Sequence, residues 1–131
     1  MAKFFRFSLK GDNLDPDKIN DLLDMPCTVY HKNDIVIKEI NGKEHFLKQK
    51  TNRLVYSTEC SDNKRTDGFL SENLEIVYSI MKKVRPYINS DSLDIVIELI
   101  IYTDKKARIC INKHQADLIS KIGARIDIVF P

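Results

Sequence analysis

Apolar and polar residues alternate from Lys3 to Leu9. Phe5, Phe7 and Leu9 fall on one side and Phe4, Arg6, Ser8 and Lys10 on the other, the period of a half-buried strand. Gly11-Asp12-Asn13 breaks the pattern with turn residues. Asp15 then has the chemistry of a helix N-cap, and Pro16 suits the first helical position, where its missing N–H costs nothing. Leu14 and Ile19 stand at the spacing of a hydrophobic staple. Ile19, Leu22 and Leu23 form a short buried stripe, which Asp24-Met25-Pro26 ends because a residue before proline avoids helical angles. Cys27 to His31 reads as a short strand and Lys32-Asn33-Asp34 as a turn. Ile35 to Ile40 and the segment holding Phe46 and Leu47 flank Asn41-Gly42, a strong hairpin signal because both residues accept positive φ. A further strand covers Leu54 to Cys60, and Ser61 to Gly68 reads as a polar loop.

From Ser71 to Ile88 the apolar positions Leu74, Val77, Met81, Val84 and Ile88 repeat at three and four, which predicts the longest helix. Pro86 should stop its regular part near Val84 or Arg85. Leu93 to Thr103 is the clearest strand, with Leu93, Ile95, Ile97, Leu99 and Ile101 on one face and a mixed row on the other. Thr103 to Lys106 is expected to turn back into a partner strand through Ala107, Ile109 and Ile111, placing Cys110 on its opposite face. Asn112 caps a last helix with Gln115 at capping-box spacing; Ala116, Ile119 and Ile122 should face inward, and Gly123 should end it. Ala124, Ile126, Ile128 and Phe130 then alternate with Arg125, Asp127 and Val129 in a final strand. The expected order is β-α-β-β-β-β-α-β-β-α-β in one domain over residues 1–131. This is an α+β fold with a largely antiparallel sheet, about three helices on one face, and a ferredoxin-like split βαβ unit with additions as a candidate topology. Leu22, Val77, Met81, Ile95, Ile97, Leu99, Ile119 and Ile126 should share one core.

Composition narrows the function classes. Hydrophobic residues make up 43% and charged residues 31%, the balance of a folded soluble domain. No apolar run approaches the ~20 residues of a spanning helix, and Arg6 and Lys10 come too early for a secretory signal, so a cytoplasmic protein with no membrane role is expected. The net charge of +2 is spread along the chain without a basic arm. The clusters Lys43, Lys48, Lys50, Arg53 and Lys105, Lys106, Arg108 read as solvated hairpins, so no nucleic-acid partner is expected.

The reactive residues form no recognised constellation. Cys27, Cys60 and Cys110 are odd in number and lack a C-x-x-C pair, which suits buried thiols better than a disulfide framework. Cys27 and His31 would share a strand face, yet zinc needs further ligands at recognised spacing, so no metal and no cofactor are expected. Asp12, Asp15 and Asp17 resemble a calcium loop only in their first residues, and a turn plus a helix cap accounts for them. There is no G-x-S-x-G, P-loop or G-x-G-x-x-G motif, and no catalytic residue is assigned.

One resemblance covers nearly the whole chain. Phe7 to Ile19 with Gly11, Leu14, Asp15 and Pro16, then Leu22 to Pro26, then Lys32-Asn33-Asp34, is similar to the strand, G-x-x-L-D-P-x-x-I helix, L-x-x-x-P and K-G-D opening of a small bacterial family. That family is catalogued as domain of unknown function family 4279. The helix from Leu70 to Pro86 and the ending Leu118 to Phe130 resemble its closing helix and strand. Asn33 replaces the glycine of K-G-D, and Tyr56 stands where the family tends to have tryptophan, a residue this chain lacks. The resemblance implies no activity; the neighbourhood of such genes to toxin genes implies an immunity-type role.

The function expected from these readings is a non-enzymatic protein-binding module, with an immunity-type inhibitor as one case. Its candidate partner-binding face is Asp94, Glu98 and Tyr102. One alternative is a small enzyme or small-ligand binder with a pocket near residues 61–68 that holds His31, Tyr56 and Cys60. The other is a homo-oligomeric structural domain that associates through a strand edge. The capping reading has a direct consequence: Asp15→Ala should cost about 1 kcal/mol in chemical denaturation, while a loss of binding without a loss of stability would show that the aspartates serve a ligand instead.

Overall fold

The computed structural model describes residues 2–60, 65–103, 106 and 108–131. Its first strand, β1 (Ala2–Gly11), is followed by α1 (Pro16–Asp21), β2 (Thr28–Tyr30), β3 (Ile35–Ile40), β4 (Lys43–Lys48) and β5 (Asn52–Cys60). Next come α2 (Thr66–Val84), two single 3-10 turns (Arg85–Tyr87 and Ser90–Ser92), β6 (Asp94–Tyr102), α3 (Lys113–Ile122) and β7 (Arg125–Val129). Five strands form one sheet in the order β2-β5-β1-β6-β7, and β3 and β4 form a separate two-stranded ribbon. Every pairing is antiparallel except β6 with β7.

The expected α+β architecture is therefore present, with helices on one side of a mostly antiparallel sheet. Its split unit is β5-α2-β6, because β5 and β6 both run antiparallel to β1, which lies between them. The second unit, β6-α3-β7, is not split: its strands are parallel neighbours. Registers follow the alternation read from the sequence. Phe7 lies opposite Tyr56 on one side and Ile97 on the other. Phe5, Phe7, Leu9, Ile97 and Leu99 are fully buried, and they meet Ile19 of α1, Leu74 and Met81 of α2, and Leu118 and Ile122 of α3 in one cluster. Of the expected core, Val77, Met81, Ile95, Ile97 and Leu99 are buried, while Leu22, Ile119 and Ile126 pack partly buried at its margin.

The local signals worked where local chemistry decides. Asp15 accepts a hydrogen bond from the Lys18 N–H, Asn41 and Gly42 have φ of 53° and 77°, and Gly123 ends α3 at φ 77°. Asn112 and Gln115 form the reciprocal capping box, and Pro86 converts the end of α2 into a 3-10 turn after Val84.

Four expectations need correction. The segment read as a loop over Ser61–Gly68 becomes helix from Thr66, since Phe69 and Leu70 extend the buried stripe of α2 by another turn; residues 61–64 lie outside the described residues. The first helix stops at Asp21, with Leu22 as its C-cap. Residues 108–112 are not a strand, and Cys110 is exposed: the chain there leads to the start of α3, whose crossover returns it parallel to β6. Finally, α3 buries Gln115, Leu118 and Ile122 rather than Ala116, which is exposed. The stripe is turned because Gln115 is fully buried as a joint. Its Nε2 donates to the Asp67 carbonyl and Ser71 Oγ of α2 at 3.1 and 2.8 Å, and its Oε1 accepts from the Asn112 N–H.

Two more polar joints hold the helical layer. Asn73 accepts from the Tyr56 hydroxyl at 3.1 Å and donates to the Phe69 carbonyl. Arg85 Nη2 donates to the Lys121 and Ile122 carbonyls, placing a cation on the C-terminal end of α3. Leu99→Ala should lower stability by about 2–5 kcal/mol in denaturant unfolding, and Ala116→Lys should change it by less than about 0.5 kcal/mol; a large cost at Ala116 would restore the stripe read from the sequence.

Candidate functional site

With the helices gathered on one face, the other face of the sheet is built from the alternate residues. The registers arrange them in rows across β5, β1, β6 and β7: Glu59, Phe4, Ile100, Val129; then Ser57, Arg6, Glu98, Asp127; then Val55, Ser8, Val96, Arg125; then Arg53, Lys10 and Asp94. The row of Val55, Ser8 and Val96 is buried. Around it the face is polar at one level and aromatic at another.

The three residues expected on a partner-binding face, Asp94, Glu98 and Tyr102, do share this side of β6. Asp94 lies 3.7 Å from Arg125, whose Nε is also 3.5 Å from Asp127. Glu98 lies 3.8 Å from Arg6. All these groups are substantially exposed, so the pairs contribute little stability and leave the charges available. Tyr102 is 49% exposed. It meets the Phe4 ring edge-on at a centroid distance of 5.6 Å, beside Ile100 and Val129.

The other end of the same face carries a cleft of about 380 Å³, walled on one side by Val36, Lys38, Leu47 and Gln49 of the ribbon and its root. Its floor and far wall are Arg6, Thr28, Tyr30, Arg53, Val55 and Ser57. The ribbon is tied down where Asn33 N–H donates to the Gln49 carbonyl at 2.9 Å and Gln49 N–H donates to the Asp34 carbonyl at 2.7 Å. The face of the ribbon away from the cleft carries Ile35, Ile37 and Phe46, exposed by 66%, 59% and 65%. Register pairs Ile37 with Phe46, so the three form one apolar patch.

The pocket expected from His31, Tyr56 and Cys60 is distributed differently. Tyr56 and Cys60 lie on the inner face of β5, where Tyr56 is half-buried against Phe5 and α2, its phenol pKa raised by burial and by the Cys27 thiol. Cys60 is buried. His31 lies beyond the end of β2 and is held by carboxylates on both ring nitrogens, Asp17 on Nε2 and Asp34 on Nδ1. The cleft contains none of the three. Its own residues went unread because they converge through the β2–β5 and β1–β5 pairings, which no local pattern reports. The one available signal was Arg53 in a basic run. Cys27 is half-buried, with its thiol pKa pushed up by burial. Among the described residues no group of three or more His, Cys, Asp or Glu is placed to hold a metal ion.

The fold and this face define a class: an α+β domain with three helices on one side of its sheet and a charged and aromatic surface on the other. The chain belongs to the family described as Domain of unknown function (DUF4279), which matches residues 2–130. No curated protein matches the chain. No described helix is long and apolar enough to cross a membrane.

The His31 contacts set a pH dependence. The hydrogen bond to Asp17 raises its pKa above the ordinary value of 6.5; desolvation opposes this, and the Asp17 charge and then Asp34 add to the rise. Only the imidazolium can donate to both carboxylates at once. A raised folded-state pKa means stability that is present below about 6.5 and is lost as pH rises through the folded-state value. By NMR the His31 midpoint should lie above 6.5, and Asp17→Asn should bring it down; an unmoved midpoint in that variant would refute the assignment.

Proposed function

We propose that this chain is a non-enzymatic protein-binding module that engages its partner through the helix-free face of the sheet. The observation that carries this reading is the row of Phe4, Ile100 and Val129 with Tyr102 at its end, set against Arg6, Glu98, Asp127 and Arg125. A protein interface commonly has such an aromatic and aliphatic centre beside a polar rim, and Tyr is a common anchor in one. Inhibition of the partner, the immunity-type case, is one use of such a surface. A cytoplasmic setting fits cysteines that form no disulfide.

A second reading is favoured by the apolar patch of Ile35, Ile37 and Phe46, which no described element covers. Under it, two copies associate through their ribbons. One experiment separates the two. A photo-reactive residue at position 102 should capture a partner protein in the producing cell, while the same residue at Glu75, on the helical side, should not, and Phe4→Ala should weaken capture by about tenfold. Capture from both positions alike would overturn the first reading, and no partner captured at position 102 together with a dimer that Phe46→Glu abolishes by sedimentation would put the second in its place.

A further inference from the structure

The cleft under the ribbon has a chemistry of its own. We propose that it binds a small organic anion, with a carboxylate head group on Arg53, Arg6 and Lys38 and an apolar body against Val36, Leu47 and Val55. Three cations line the cleft and no Asp or Glu does. Among the described residues Arg53 and Lys38 have no ion-pair partner, and the Arg6 contact to Glu98 is long and exposed. Like charges that line one cleft disfavour one another, and an anion between them relieves this.

Arg53 is the organising residue. Its guanidinium carbon lies 4.4 Å from the centre of the Tyr30 ring, which holds the plane of the fork. Its Nε is buried and has no hydrogen-bond partner. The buried Nε leaves the terminal nitrogens as the part of the fork that a ligand can reach, and a carboxylate there makes paired, charge-assisted hydrogen bonds. The stacking on Tyr30 accounts for the orientation of the guanidinium and leaves its charge unanswered. Ser57 and Thr28 supply hydroxyls on the same wall. The volume of about 380 Å³ is that of a small-molecule site. Val36, Leu47 and Val55 offer a short apolar contact beside a mostly polar lining, which suits a carboxylate carried on a small hydrocarbon body. This inference stands apart from the protein-binding reading. It shares Arg6 with that surface, and its test touches neither Phe4 nor Tyr102.

The test follows the Arg53 Nε–H resonance by NMR while hexanoate, acetate, inorganic phosphate or sodium chloride is added at matched ionic strength. Hexanoate should shift it saturably, acetate and phosphate should bind several-fold more weakly, and chloride should have no saturable effect. Arg53→Gln, followed by backbone amides of the cleft, should weaken hexanoate by about tenfold or more. Lys38→Gln, at an exposed ribbon position that leaves the core intact, should weaken it by about two- to fivefold, and decides the matter alone if the Arg53 variant does not fold. Shifts that chloride reproduces, phosphate binding as tight as hexanoate, or undiminished hexanoate affinity in the folded variants would overturn the proposal.

Discussion

Everything in this molecule is arranged around β1, which is hydrogen-bonded along nearly its whole length to β5 on one side and β6 on the other. Both neighbours run antiparallel to it and hence parallel to each other. The chain between them must cross over β1, and α2 is that crossing. A helix laid over the central strand buries one face of the sheet and leaves the other free of helices. Phe5, Phe7 and Leu9 follow from this, and so do the charged and aromatic residues that alternate with them. The dry face and the charged, aromatic face are two sides of one constraint.

Polar side chains act as joints in the buried layer. Gln115 caps its own helix and reaches across to the Asp67 carbonyl and Ser71 of α2, so that one fully buried amide serves both local and tertiary structure. Asn73 does the same between α2 and Tyr56 of β5. Such groups must be satisfied when buried, which makes them specific: a rotation of α3 that buried Ala116 would strand the Gln115 amide. The ribbon of β3 and β4 is a contrast. A two-stranded hairpin has little stability of its own, and this one exposes apolar side chains on its outer face while its other face walls the cleft. Its chemistry therefore concerns whatever meets it, rather than the core.

The sequence by itself determined the features set within a few residues of one another. The caps at Asp15 and Asn112, the Asn41-Gly42 turn, the stop at Gly123, the break at Pro86 and the inward faces of β1 and β6 all rest on backbone preference or on a period of two. The shared side of Asp94, Glu98 and Tyr102 was legible for the same reason. Tertiary structure decided the rest. The start of α2 moved to Thr66 because Phe69 and Leu70 found a core to enter, and residues 108–112 stayed out of any strand because α3 carries the chain back beside β6. It separated His31 from Tyr56 and Cys60, and it brought Tyr30 under Arg53 through the pairing of β2 with β5. A pattern of hydrophobic and polar residues states which side of a segment is dry. It does not state which distant segment lies against it, because that depends on how several buried faces are satisfied at once.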